Sequence, residues 1–275
     1  KKCEAHSENM IAVSGGVQSV IDALGGDRAP PNVACVNSHQ ETVLTAPASE
    51  ADDMMTVLTA AGFRCTKLRV PYAYHSPQVE PILNDFKTLA SGVTFHHPKV
   101  PVISPLLSNF ANLDSFNPNY LAGHAREPVN FLGAITAAQQ SGRLNKDTVW
   151  IEIGPHPICA NWVKTILGRN TVAVPSLRRK EQAYKTLSNT LSQLHAAGIN
   201  VDFNEVHRDF SHANVLLDLP SYAFDEKRFW IQYEGDWCLP KGRLTAALTV
   251  ADNSPSEPPK PKLSTTTVHR IVREE

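Results

Sequence analysis

Residues 9–70 carry short apolar runs in an alternating strand and helix order. Met10-Ile-Ala-Val13 predicts a strand, and Val17, Val20, Ile21 and Leu24 then recur at helical spacing on one face. Val33-Ala-Cys-Val36 and Glu41-Thr-Val-Leu-Thr45 predict two strands joined by the turn Asn37-Ser-His-Gln40. A second helix follows, with Ser49 as its cap, Met54, Met55, Leu58 and Ala61 apolar, and Gly62 just past its end. Cys65 to Val70 closes the unit as a strand. The order β-α-β-β-α-β is that of the ferredoxin-like split motif, which hosts many unrelated functions.

Pro71 stops the last strand, and an aromatic turn delivers His75 just before a helix that Ser76 can cap and Pro77 can open. That helix runs to about Ala90 and turns Val79, Ile82, Leu83 and Phe86 toward a core. Val100-Pro-Val-Ile-Ser104 predicts a short buried strand, and residues 118–125 and 129–140 predict helices. Thr148 to Ile153 is a strong strand, turned by Gly154-Pro-His-Pro157 into a helix ending near Gly168, and Thr171 to Val174 is a further strand. Strands alternating with helices across 71–178 predict part of an open, largely parallel α/β layer.

An amphipathic helix then spans Lys180 to Ala197, with Leu187, Leu191, Leu194 and Ala197 aligned and Gly198 as its stop. Residues 179–245 read as a linker that lays the rings of Tyr222, Phe224, Phe229, Trp230 and Tyr233 across another surface. Residues 246–275 begin as a Pro/Ser/Lys-rich flexible stretch and end in a strand-like run.

Charge narrows the functional classes. With 26 Lys+Arg against 27 Asp+Glu and no long single-sign run, the chain lacks the basic face of a nucleic-acid binder. Five scattered cysteines without a Cys-x-x-Cys pair fit reduced thiols better than a disulfide framework. No secretory signal and no membrane-length apolar run are present, so a cytoplasmic protein without a membrane partner is expected. The chain opens at Lys1-Lys-Cys-Glu and closes just after a strand-like run, as a piece of a larger polypeptide would.

His75 is the leading candidate for chemistry, since strand-to-helix turns are where α/β folds place reactive groups. The alternative is a turn histidine packed between Tyr72 and Tyr74. His156 reads first as a structural residue of its Gly-Pro-His-Pro turn, able to cap the next helix or line a cleft. His96 and His97 are neighbours that a strand would point to opposite faces, against a metal site. Asn37 and His39 read as turn chemistry, and Arg126 first as one side of a surface ion pair, the alternative being contact with an acyl carboxylate or a phosphate.

Taken together, Val70-Pro-Tyr-Ala-Tyr-His-Ser-Pro-Gln-Val79 and Trp150-Ile-Glu-Ile-Gly-Pro-His-Pro157 resemble the malonyl-CoA:acyl-carrier-protein transacylase domain of iterative type I polyketide synthases. Leu219 to Ile231 is similar to the linker after that domain. Tyr233-Glu-Gly-Asp-Trp237 and Leu263 to Val272 are most similar to the fungal non-reducing group, just ahead of a product-template domain. The resemblance implies an α/β fold with an inserted ferredoxin-like α+β subdomain (9–70). Residues 71–178 would then be the C-terminal part of an α/β-hydrolase-like acyltransferase subdomain.

The resemblance also implies roles. His75 would be the general base for a serine nucleophile in a ping-pong transfer, and the backbone carbonyl of Asn130 would orient its ring. Tyr72, Ala73 and Tyr74, with Ser76 beside them, would shape the acyl pocket, with His156 a weaker candidate for touching substrate. No bound cofactor is implied: a CoA thioester, malonyl-CoA by subgroup likeness, is the substrate, and the phosphopantetheine of an acyl carrier protein is the acceptor. Ketosynthase and product-template domains of the same polypeptide would be neighbours. The chain itself contains no Gly-x-Ser-x-Gly elbow, and the family's carboxylate-binding arginine would lie before Lys1. The isolated chain is therefore expected to be inactive. Rival readings are a non-catalytic carrier-protein docking scaffold and a thioester hydrolase.

Overall fold

Strand β1 (Glu8–Val13) is the spine of an antiparallel sheet, paired with β3 (Glu41–Pro47) on one side and β4 (Cys65–Lys67) on the other. Strand β2 (Asn32–Ser38) pairs antiparallel with β3, so the order β4-β1-β3-β2 is the ferredoxin-like one expected for residues 9–70. This computed structural model describes residues 2–25, 31–112, 114–213, 215 and 217–225.

Alternation along the strands sorts side chains to two faces. Ile11, Val13, Leu44 and Ala46 pack against Val20 and Leu24 of α1 (Val17–Leu24) and Ala51 and Leu58 of α2 (Ala51–Ala60). Met54 and Met55 join this core at its edge. Helix α2 starts from Glu50, with no side-chain cap from Ser49, while Gly62 takes a φ of 90° just past its end as expected. On the opposite face Met10, Ala34 and Val43 bury Ala73, with Leu68 and Val70 packed alongside. The loop after β4 thus crosses the sheet and is held there by Ala73.

From this loop the chain enters a 3-10 turn (Pro77–Val79) and α3 (Glu80–Ala90). The expected apolar face of α3 is only partly covered: Val79 is buried, but Ile82 and Phe86 are exposed. The strand expected at 100–104 is shorter, and β5 (Ile103–Ser104) forms an antiparallel hairpin with β6 (Asn109–Phe110) while Val100 is exposed. Helix α4 (Pro118–Arg126) packs on α3, and β7 (Val129–Asn130) adds to the main sheet parallel to β2 before α5 (Phe131–Gln140).

Strands β8 (Trp150–Glu152) and β9 (Ala173–Pro175) pair in parallel, with α6 (Cys159–Leu167) as the crossover. Ala160, Val163, Ala173 and Ile135 form their core. Helix α7 (Ala183–Ala196) buries Thr186, Thr190 and Leu194 rather than the leucine row expected, because Thr190 donates its hydroxyl to the Pro175 carbonyl (2.5 Å) and Thr186 to Glu181 (2.7 Å). Leu187 is left exposed. The short helix α8 (Phe203–Val206) follows.

Two compact units divide the chain, Lys1–Asn214 and Val215–Glu275. In the second, Tyr222 and Phe224 are exposed and their rings meet edge to face at 4.7 Å. The expectations for Phe229, Trp230, Tyr233 and the region 246–275 lie outside the described residues.

Candidate active site

His75 has a φ of 61°, a left-handed conformation uncommon outside glycine that persists only where neighbours enforce it. Here the neighbours are polar side chains of the turn. The buried Ser76 hydroxyl donates to the Ala73 carbonyl (2.7 Å) and accepts from the Gln78 amide (3.1 Å). The Gln78 side chain accepts from the Ala73 amide (2.5 Å) and donates to the Glu4 carbonyl (2.6 Å) and Ser7 hydroxyl (2.7 Å). Both backbone groups of Ala73 are therefore held by side chains from the turn that follows. Ser76 caps as its sequence position suggested, and it is enclosed rather than open to a substrate.

The His75 ring is half-buried, and its Nδ1 lies 3.1 Å from the backbone carbonyl of Glu127. A carbonyl only accepts, so Nδ1 carries the proton and Nε2 of the neutral ring keeps its lone pair. This corrects the expectation for Asn130. Glu127 precedes Pro128, which favours extended backbone there (ψ 157°). Its carbonyl is thereby turned out of α4 toward the histidine. Asn130 is used otherwise: its amide donates to Pro105, and its side chain caps α5 through the Gly133 amide (2.8 Å).

Burial lowers the proton affinity of His75 below the usual imidazole range, and His124 at 5.9 Å between ring centroids lowers it further. Backbone hydrogen bonds to Glu127 and His124 oppose the shift in part. Arg126 forms the expected ion pair, to Glu80 (2.7 Å), and so ties the end of α4 to the start of α3.

Tyr72 and Tyr74 border a cavity of about 210 Å³ with Lys2, Cys3 and Ile82. Ala73 between them faces the sheet core instead. His156 is not brought to His75. It lines a separate cavity of about 720 Å³ beside the β2–β3 turn and α6, and its Nδ1 accepts from the Arg179 amide (3.3 Å). Asn32, whose side chain touches the His75 carbonyl (3.4 Å), starts β2, and Ser38 at that cavity ends it, about 20 Å along the strand.

The cap of α6 belongs to Glu152, whose carboxylate accepts from the amides of Ile158 (3.0 Å) and Ala160 (2.7 Å). Glu41 accepts from the Trp162 indole (3.1 Å) and the Asn37 side chain (2.9 Å), fastening the β2–β3 turn to α6. Burial, with Glu41 nearby, pushes the Cys35 thiol up to about 11. Glu127, His124 and Gln78 were not singled out from the sequence. The Glu-Pro pair was the one local signal available, since it marks a free carbonyl at a helix end. Among the described residues no cluster of His, Cys, Asp or Glu could hold a metal ion, and no helix is long and apolar enough to cross a membrane.

The sequence profile of the acyl transferase domain matches residues 7–201. The chain belongs to this family. As an acyl transferase chain it is similar along its full length to fungal polyketide synthases. It is 56% identical over 274 residues to the conidial pigment polyketide synthase PfmaE of Pestalotiopsis fici, and 45% identical over 277 residues to the non-reducing polyketide synthase Preu8 of Preussia isomera. The chain spans 13% of the length of each. Among solved structures, the acyltransferase domain from the second module of the salinomycin polyketide synthase matches with a TM-score of 0.64 and 26% identity, over 77% of this chain and 49% of that one. The malonyl CoA-acyl carrier protein transacylase of Clostridium perfringens shares the fold, at a TM-score of 0.59 and 20% identity. The α/β architecture expected from the motifs is therefore the observed one.

Proposed function

We propose that the chain supplies the base-bearing part of an acyltransferase domain in a non-reducing polyketide synthase, loading malonyl units from CoA onto an acyl carrier protein. The observation that carries this reading is His75, whose Nδ1 is held on the Glu127 carbonyl with Nε2 left to take a proton. A serine hydroxyl supplied by polypeptide outside these 275 residues loses its proton to Nε2 as its oxygen attacks the thioester carbonyl. The C–S bond breaks, the CoA sulfur takes the proton from the imidazolium, and an acyl-serine ester remains. The phosphopantetheine thiol of the carrier protein then reverses the sequence, giving its proton to Nε2 and restoring the serine.

Glu127 stabilises the transient imidazolium by accepting from Nδ1, as a backbone carbonyl can do without itself changing protonation. Tyr72 and Tyr74, three residues and one residue before this base in the chain, border a cavity of about 210 Å³ and are the candidates for acyl-group contact. Ketosynthase and product-template neighbours and a cytoplasmic location complete the proposal. The test is acyl loading by the whole synthase with labelled malonyl-CoA and carrier protein. His75→Ala is expected to reduce loading by ~10⁴-fold or more with the fold retained. Normal loading in that variant would remove His75 from the mechanism.

A further inference from the structure

Two buried side chains, Ser76 and Gln78, close the turn that carries His75, and Gln78 also reaches a segment far away in the chain. Its Oε1 accepts from the Ala73 amide (2.5 Å), while Nε2 donates to the Glu4 carbonyl (2.6 Å) and the Ser7 hydroxyl (2.7 Å). The side-chain amide fits only this way round, since a flip would set its oxygen against a carbonyl and its NH2 against an N–H. Both acceptors of Nε2 are fixed from outside the turn. The Ser7 hydroxyl donates to the Glu4 carbonyl (3.0 Å), and the Ser7 carbonyl accepts from the Ala48 amide (2.9 Å). Between them, the His6 amide donates to the Pro71 carbonyl (2.8 Å).

Ala73 at one end of the turn and the extended Ser76 (φ −136°, ψ 170°) at the other are thereby held, and Tyr74 and His75 alone lie between them. The reversal is taken up at His75, in the left-handed region (φ 61°) where a non-glycine residue stays only if both its flanks are fixed. We propose that Gln78 is a positioning residue for acyl transfer. By holding the Ala73 amide against the seated segment Glu4–Ser7, it keeps His75 left-handed and its ring where it can work. The inference rests on the reading of His75 as the base. Gln78 acts on it through the backbone, two residues away at Ala73, and not through the ring.

The consequence is kinetic. Without Gln78 the turn keeps the Ser76 contact alone, and the Ala73 peptide is free to rotate. The left-handed conformer then competes with ordinary ones that a non-glycine residue favours by about 5–30-fold. Each turnover waits for that minor conformer, so serine acylation slows by the same factor. Binding of the thioester precedes proton transfer and does not depend on it, so its midpoint stays in place.

The experiment follows the first turnover of the whole synthase by rapid quench, using labelled malonyl-CoA. The amplitude of protein-bound label counts the folded, competent sites, and the rate constant reports how fast each one loads. In Gln78→Leu and in Gln78→Met, which fills the same space, the rate constant at saturating malonyl-CoA is expected to fall about 5–30-fold. The half-saturating concentration should stay within about twofold. A role in stability alone would lower the amplitude and leave the rate constant, which is readable from whatever fraction folds. An unchanged rate constant in both variants would overturn the proposal. Adding Gln78→Leu to His75→Ala should slow loading no further, because the two substitutions act through one group. A second fall of the same size would also overturn it. Failure of the base reading shows separately, as normal loading in His75→Ala by itself.

Discussion

The Nδ1 of His75 and the carbonyl oxygen of Glu127 lie 3.1 Å apart, although 52 residues separate them in the chain. The contact exists because Ala73 anchors one loop to the sheet and Pro128 ends the helix that presents the other. It selects one tautomer and leaves one nitrogen for chemistry.

That geometry has a pH signature. The proton affinity of His75 is lowered by burial and by His124, so the ring stays neutral to a lower pH than a free imidazole. The acid limb of kcat/KM for acyl loading is expected below the ordinary histidine midpoint of about 6.5. The stability contribution has the matching sign. With the folded-state midpoint below the unfolded one, protons bind the unfolded chain more readily, so this contribution is present above about pH 6.5 and lost as pH falls through the folded midpoint. Denaturant melts at several pH values, comparing the protein with His75→Gln, measure it. A steeper loss in the variant would contradict the sign.

Gln78 is expected to matter more for the site than its neutral side chain suggests. Gln78→Leu strands the buried Ala73 amide and releases Glu4 and Ser7. The expected cost is about 1–3 kcal/mol in chemical denaturation. Gln78→Glu keeps an acceptor for Ala73 but sets a buried carboxylate oxygen against the Glu4 carbonyl, so it should cost at least as much.

Removing the carboxylate that caps α6 tests the parallel pair. Glu152→Ala leaves the Ile158 and Ala160 amides without their acceptor and should destabilise by about 1–2 kcal/mol. Because His156 holds Arg179 in a separate cavity, His156→Ala should leave the pH dependence of acyl loading in place. A shifted acid limb in that variant would mean the two histidines communicate.

Cys35, with its thiol pushed up to about 11, should resist alkylation at pH 8. Timed iodoacetamide labelling read by mass spectrometry checks this. Replacing Glu41 with Gln should quicken the reaction only slightly, since burial is the larger cause.

Acyl loading by the 275-residue chain alone is expected to be undetectable, since no Gly-x-Ser-x-Gly occurs in it. Transfer of label from malonyl-CoA to carrier protein by this chain would refute the assignment of the nucleophile to other polypeptide.

Much of the fold was legible from local pattern. The six elements of residues 9–70 follow from two periodicities, and the turn into α3 from Ser76 and Pro77, because strand, helix and cap signals act over a few residues. Partial burial was less legible. The rows on α3 and α7 were correctly apolar or helical, but which residues sink depends on the surfaces that meet them, and on α7 two threonines with nearby acceptors displaced the leucines.

By itself the sequence determined the family motifs, the ferredoxin-like order and the placement of a histidine at a loop end. Only the tertiary structure decided which carbonyl meets that histidine, that His124 stands beside it and that His156 belongs to another cavity. The reason is physical: every residue carries a backbone carbonyl, so side-chain identity cannot name the acceptor. Ring-to-ring distance between α4 and the His75 loop arises only when both are packed on the same sheet and helix pair.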